Sequence, residues 1–249
     1  MKGLLRRAPD RRRYHARVPV RAVFFDAGET LVHPHPSFPD LFSEILRREG
    51  HELDPEKVRD RVFVISDRFK LAAEANELWT TSPERSRAFW LSVYDRFLEE
   101  VGVPSDDGIG DLLYAEFTDL SNYRLFDDVP EVLERLTAAG LQLGVVSNFE
   151  EWLERLLDQL EVSSYFDVRV ISGVEGMEKP DPAIFHLALD RAGVDPKDAV
   201  YVGDNPVFDT EPAEALGMRG ILIDRRERYP EHGGVRITSL EQLPAAVGL

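Results

Sequence analysis

The stretch VFFDAGETLV, residues 23–32, carries an apolar strand straight into a carboxylate, Asp26, and then into a turn. With the residues before it, VRAVFFD (20–26) is one continuous run of β-branched and aromatic side chains. Such a run reads as a strand covered on both faces, as in a parallel sheet. Open parallel sheets bind ligands at the carboxyl ends of their strands, so Asp26 stands where chemistry is done.

The same rhythm returns after residue 125. VPEVLERLTAAG (129–140) sets Val129, Val132, Leu133 and Leu136 on one helical face and stops at Gly140. Strands are expected at 141–147, 166–172, 199–204 and 219–224, with helices at 151–160, 181–193 and 209–217 and from Ser239. Alternation of this kind implies an α/β fold with a mostly parallel, Rossmann-like sheet. The first and second strands lie about a hundred residues apart, far beyond one crossover. That gap is itself helical, with stripes such as Val58, Val62, Ile65, Phe69 and Ala72 within 57–75, further stripes in 85–98, and helices expected at 37–50 and 108–120. The chain is therefore divided into a basic N-terminal arm (1–20), a core (21–33 and 124–249) and an inserted all-helical cap (34–123).

Composition narrows the function. No stretch approaches the roughly 18 apolar residues of a membrane span. There is no cysteine, which excludes disulfides, thiolate metal sites and a Cys nucleophile, and fits a reducing cytoplasm. Residues 1–21 hold eight Lys/Arg against Asp10 alone, so the net −16 leaves −23 on the remainder. A body that acidic repels nucleic acid and anionic membrane surfaces. The basic leader lacks the Ser content of a transit peptide and is read as a mobile arm. No feature specifies an oligomeric state.

At the carboxyl ends of the strands stand Asp26, then Ser147 and Asn148, then Lys179 in GMEKPDP, then Asp204 and Asp209 in VGDNPVFD. Singly, each suits a cap or a loop. Together, three carboxylates repel one another unless a cation sits among them, and hard oxygen ligands without His or Cys suit Mg²⁺. Lysine is scarce here, 5 against 25 Arg, so a lysine at 179 is not the default base. A compact ammonium suits a phosphoryl oxygen or a carboxylate.

FFDAGETL, VVSNF, EKPDPAIF and VYVGDNPVFDTEPAEALGM resemble, in order and spacing, the four motifs of the haloacid dehalogenase-like (HAD) hydrolase superfamily. The helical insertion after the first motif resembles the cap of the subfamily that holds dehalogenases, phosphonatases and many small phosphatases. The resemblance implies an enzyme acting on a small phosphorylated molecule. Asp26 would be the nucleophile and form an aspartyl-phosphate. Ser147, with backbone N–H near Asn148, would bind the phosphoryl oxygens, and Lys179 would hold Asp26 and the phosphate together. Asp204 and Asp209, with Asp26 and the carbonyl of Gly28, would hold Mg²⁺, and the cap would exclude water.

One residue departs from the pattern. Phosphatases of this superfamily read Asp-x-Asp in the first motif, and the second Asp protonates the leaving oxygen, then activates the hydrolytic water. Here that position is Gly28. The readings open at this point are a phosphatase for good leaving groups, such as acyl, enol or aryl phosphates; Glu29 reaching back as the acid; carbon–halogen or carbon–phosphorus cleavage; and a weakly active or non-enzymatic binding protein. Relatives that cleave carbon–halogen bonds work without metal, which the Asp204–Asp209 pair argues against. Phosphonatases need a cap lysine, for which only Lys57 and Lys70 are available. HPHP (33–36) is read as an extended linker rather than a metal site, and DRRERYPEHGG (224–234) as a flexible surface loop.

Overall fold

The computed structural model describes residues 20–105 and 108–249, so the basic arm lies, but for Val20, outside the described residues. In chain order the elements are β1 (Ala22–Phe25), β2 (Val32–Pro34), α1 (Phe38–Arg48), α2 (Pro55–Arg59), α3 (Phe63–Ala75), α4 (Pro83–Val101) and α5 (Ile109–Phe117). There follow β3 (Tyr123–Leu125), α6 (Val129–Ala138), β4 (Gln142–Ser147), α7 (Leu153–Gln159), β5 (Val168–Ile171), α8 (Ser172–Glu175) and α9 (Pro182–Ala192). β6 (Ala199–Gly203), α10 (Glu211–Ala215), β7 (Arg219–Ile223), β8 (Val235–Ile237) and α11 (Leu243–Val247) complete the chain.

Six strands form one sheet in the order β5-β4-β1-β6-β7-β8, and every pair is parallel. β1 is central because all four of its residues are apolar and buried, which only a strand with neighbours on both edges and helices on both faces allows. Its side chains alternate between two cores. Val23 and Phe25 pack with α6, α7 and the C-terminal helix through Leu133, Leu153, Leu156 and Leu243. Ala22 and Phe24 join Phe185, Ala188 and Ala213 on the opposite face.

Helices α1 to α5 share a third core, built on Phe42, Ile45, Phe89, Val93, Phe97 and Leu113. Their ends follow local chemistry. Ser37 and Ser82 each cap a helix with Pro in its first turn, and Gly102 ends α4 in the left-handed region at φ 76°. This helical unit joins the sheet through an antiparallel ribbon of β2 and β3, in which His33 pairs with Arg124. The HPHP segment is thus extended, and the His33 ring packs tilted against Phe126, with centroids 4.4 Å apart.

Several details differ from the sequence reading. The helix expected over 57–75 is two, α2 and α3. Between them i→i+3 bonds such as Arg61 N to Val58 O and Val62 N to Arg59 O tighten the chain, a change that an apolar spacing of 3 and 4 does not register. The helix expected at 209–217 begins as a π turn over Pro206–Thr210. The short strand β8 was not expected.

The 224–234 loop is not a loose surface segment. Asp224 is fully buried and accepts from the backbone N–H of Arg228 (2.8 Å) and Tyr229 (2.9 Å) and from Arg236 Nη1 (2.7 Å). Next to it, Arg225 makes two 2.8 Å bonds to Asp128, donates to the carbonyl of Thr30 at 2.9 Å, and lies over the ring of Phe126. Asp128 also accepts from Ser239 Oγ and Leu240 N–H. These charge-assisted bonds outweigh burial and hold the Asp128 carboxyl below its ordinary range. Asp128→Ala strands a mostly buried guanidinium, and is expected to lower stability by about 3 kcal/mol in urea denaturation at neutral pH. A loss under about 1 kcal/mol would show that the pair does not anchor the loop.

Candidate active site

The sheet edge gathers the residues that the sequence singles out. Asp26 follows β1, Ser147 ends β4, Asn148 comes next, Lys179 lies after α8, and Asp204 follows β6. Because β1 is flanked by β4 and β6, the ends of all three strands meet at one crevice. Asp209 arrives differently. Asn205 Oδ1 caps the π turn by accepting from Val207 and Phe208 N–H, and the turn swings Asp209 back over the end of β6. Gly203 has no side chain because a Cβ there would sit 2.3 Å from the Asp209 carboxyl carbon.

Lys179 is the hub. The residue is 2% exposed, and its ammonium has three protons and three acceptors: Asp209 Oδ1 at 2.6 Å, Asp26 Oδ1 at 2.7 Å and Tyr201 Oη at 2.9 Å. Burial favours the neutral amine, but the charges of Asp209 and Asp26 outweigh it and hold the ammonium well above the ordinary lysine range. Ser147 Oγ donates to the same Asp26 oxygen at 2.9 Å. Asp26 Oδ2 has no protein hydrogen-bond partner among the described residues. Asn148 is spent on positioning: its amide donates to the Lys179 carbonyl at 2.8 Å, and its oxygen accepts the Lys179 N–H at 2.7 Å.

Asp26, Asp204 and Asp209 each offer a carboxylate oxygen, and these oxygens lie within 4.8 Å of one another. Burial pushes the Asp204 carboxyl up to about 7 despite Arg228, and the Asp209 carboxyl up to about 6 despite Lys179. Charge from the neighbouring acids adds to both shifts. The protein's own cations therefore leave this cluster short of positive charge. Three close hard oxygens in that condition fit a divalent ion such as Mg²⁺, and Gly28 lines the same cavity.

Position 28 is open. A Cβ built on Gly28 meets nothing within 4 Å, and its backbone is not in the left-handed region that would demand glycine. Its neighbour Glu29 is left-handed at φ 57°, and its carboxylate pairs with Arg226 at 2.7 Å. Glu29 is thus directed to a guanidinium rather than held free as a substitute acid. Arg226 and Arg228 both line the cavity, the latter paired with Asp204 at 2.7 Å. The sequence reading weighs this loop against an anionic substrate and prefers a flexible surface loop; the structure instead brings both arginines to the cavity.

The cavity, about 230 Å³, lies between the sheet edge and the helical unit. Two carboxylates of the core, neither singled out from sequence, hold that unit. Glu178 accepts from Trp79 N–H, Thr80 N–H and Thr80 Oγ1, the last at 2.6 Å. Glu150 accepts from Ser86 Oγ at 2.7 Å and Tyr114 Oη at 3.0 Å. Tyr201, which reads as a core strand residue, was also missed; its hydroxyl donates to the Val146 carbonyl at 2.6 Å and so presents a lone pair to Lys179. Lys57 and Lys70 are exposed and do not line the cavity. No described helix is long and apolar enough to cross a membrane.

The family model for haloacid dehalogenase-like hydrolases matches residues 20–217. The chain is 32% identical to haloacid dehalogenase-like hydrolase domain-containing protein 3 of Danio rerio, over 92% of this chain and 97% of that one. It is 31% identical to (S)-2-haloacid dehalogenase 4A of Burkholderia cepacia, over 86% and 87%. To a phosphoserine phosphatase of Thermus thermophilus it is 34% identical, over 64% and 62%. Among solved structures, the HAD-hydrolase YfnB of Bacillus subtilis superposes with a TM-score of 0.74 at 16% identity, covering 93% of this chain and 100% of that one. The chain belongs to the haloacid dehalogenase-like hydrolases.

Proposed function

We propose that the chain is a Mg²⁺-dependent phosphatase that acts on a small phosphorylated molecule through an aspartyl-phosphate on Asp26. The observation that carries this reading is the Lys179 ammonium bridging Asp26 and Asp209 beside an under-neutralised third carboxylate. Asp26 Oδ2 attacks phosphorus, and the leaving oxygen departs with the bonding pair. Ser147 and Lys179 fix the Asp26 carboxylate through Oδ1 and balance charge that builds on the phosphoryl group. Water then attacks phosphorus of the aspartyl-phosphate, which releases phosphate and restores the carboxylate. Asp26, Asp204 and Asp209, with the Gly28 carbonyl, would hold Mg²⁺, which when bound would offset negative charge on the phosphoryl oxygens. The helical unit, residues 34–123, acts as a cap that excludes bulk water.

With Gly28 in place of the usual acid, the leaving oxygen departs without a proton from that position. The substrates handled best are then those whose leaving group is stable as an anion. Similarity to a dehalogenase favours carbon–halogen cleavage as the second reading. That chemistry would leave Asp204 and Asp209 without a task, which ranks it second.

Asp26→Asn is expected to lower phosphatase turnover by at least about 10³-fold while the fold is retained. Residual turnover near the wild-type rate would remove the covalent step. Gly28→Asp fits the open space and is expected to raise hydrolysis of alkyl phosphates by about 10²-fold or more, with little gain on aryl phosphates. No gain on the alkyl ester would show that the missing acid is not what limits the enzyme.

The metal reading has its own pH signature. Folded-state carboxyls near 7 and 6 lie above the unfolded value of about 3.9, so the metal-free fold binds more protons than the unfolded chain. These groups therefore cost the metal-free fold stability as pH rises from about 4, and the cost levels off above about 6 for Asp209 and about 7 for Asp204. Mg²⁺ requires both to be deprotonated. Its stabilisation, read as a shift in Tm at saturating Mg²⁺, is expected to be several-fold larger at about pH 8 than at about pH 5.5. Equal shifts at the two pH values would argue against ligation by Asp204 and Asp209.

A further inference from the structure

We infer that the substrate's leaving group is an uncharged aromatic ring, so that the chain hydrolyses an aryl-type phosphate with no second anionic group. This rests on the phosphatase reading above and deepens it. The first support is the aromatic part of the cavity's lining. From the helical unit it is built by Phe69, Trp79 and Trp90, and from the core by Phe149 and Trp152. These rings hold one another in place. Trp90 meets Phe69 edge-on at 6.1 Å, Trp79 packs 5.0 Å from Phe69, and Trp152 meets Phe149 edge-on at 4.6 Å. Fixed ring faces and edges on both sides select a flat apolar group.

The second support is the state of the polar groups in that wall. Tyr114 Oη and Ser86 Oγ donate to Glu150, Thr80 Oγ1 donates to Glu178, and Thr118 Oγ1 donates to the Tyr114 carbonyl. Beyond these engaged groups the wall offers two unpartnered donors, the buried indole N–H groups of Trp79 and Trp152, rather than the mixed donors and acceptors that the several hydroxyls of a sugar or polyol need. Charge excludes a third class. Among the described residues, every cation in the lining has a carboxylate partner: Lys179 with Asp26 and Asp209, Arg226 with Glu29, Arg228 with Asp204. A distal carboxylate or second phosphate on the substrate would meet no free cation, and would share the cavity with Glu150.

Size agrees with one ring. An engineered apolar cavity of about 150 Å³ holds benzene. The 230 Å³ here accommodates such a ring together with a phosphoryl group at Asp26. Aryl esters also need no proton on departure, so the wall and the glycine at 28 converge on the same substrate class from unrelated observations.

The test uses the full chain with Mg²⁺ and three stable phosphonates in calorimetric titrations. Benzylphosphonate is expected to bind at least tenfold tighter than methylphosphonate, and phosphonoacetate, which adds a carboxylate, more weakly than methylphosphonate. Equal affinities for the benzyl and methyl compounds, or tightest binding of phosphonoacetate, would overturn the inference. Turnover of 4-nitrophenyl phosphate against acetyl phosphate separates this claim from the one beneath it. A tenfold benzyl preference with neither compound hydrolysed keeps the aromatic pocket and removes the phosphatase. Hydrolysis of both at equal kcat/KM with no benzyl preference keeps the phosphatase and removes the aromatic pocket.

Discussion

A single buried ammonium organises this molecule. Lys179 is withdrawn from water, which costs several kcal/mol for an isolated charge. Its position is tolerable only because two carboxylates and a phenol oxygen meet all three of its protons at 2.6–2.9 Å. Each acceptor is placed by a different device. Asp26 rides on the central strand, Tyr201 is aimed by its bond to the Val146 carbonyl, and Asp209 is swung inward by a π turn against a glycine. Asn148 closes the set by pinning both backbone polar groups of Lys179. The parallel sheet, the turn and the glycine are therefore constraints on one electrostatic cluster.

The cluster is deliberately incomplete in charge. Lys179 serves Asp26 and Asp209, and Arg228 serves Asp204, yet the carboxyls of Asp204 and Asp209 remain pushed up to about 7 and 6. An arrangement meant only for stability would replace such acids with apolar side chains of similar volume. Acids kept under this repulsion favour an arriving cation, whose charge would offset the repulsion that an acidic body presents to a phosphate. The helical unit meets the core through two further carboxylates, and Glu178 is adjacent to Lys179 in the chain. The carboxyl that holds the 79–80 segment and the ammonium that faces the nucleophile thus share one backbone.

Much of this was legible in the order of residues because strand ends are marked by chemistry. A covered apolar strand that ends in Asp26, and others that end in Ser147 and Asp204, announce a parallel sheet and its working edge together. The helical insertion was legible because its stripes are long and regular. What stayed hidden depends on contacts across the chain. Tyr201 sits in AVYVGD as one more buried strand residue, and only its neighbour on β4 reveals the hydroxyl's task. Arg226 and Arg228 look solvated until Asp224 is seen to fold their loop onto the site. Residues 60–62 turn within an unbroken apolar spacing, so no pattern of spacing could part α2 from α3.

The glycine at 28 gains its meaning from the space around it. Were it forced by a left-handed backbone or by a crowded neighbour, the lost acid would be a by-product of folding. Neither holds: the position is open and its backbone suits any residue. The nearest carboxylate that might substitute, Glu29, is tied to Arg226 instead. The site thus keeps everything needed to form an aspartyl-phosphate and omits the group that would protonate a basic leaving oxygen and then activate the hydrolytic water. An enzyme so equipped gains nothing from an acid when its leaving group is a stabilised anion, and an aromatic wall is the environment in which such a leaving group, an aryl oxide, is held by its ring rather than by its charge. Chemistry omitted at one end of the cavity and shape supplied at the other are then two halves of one specificity.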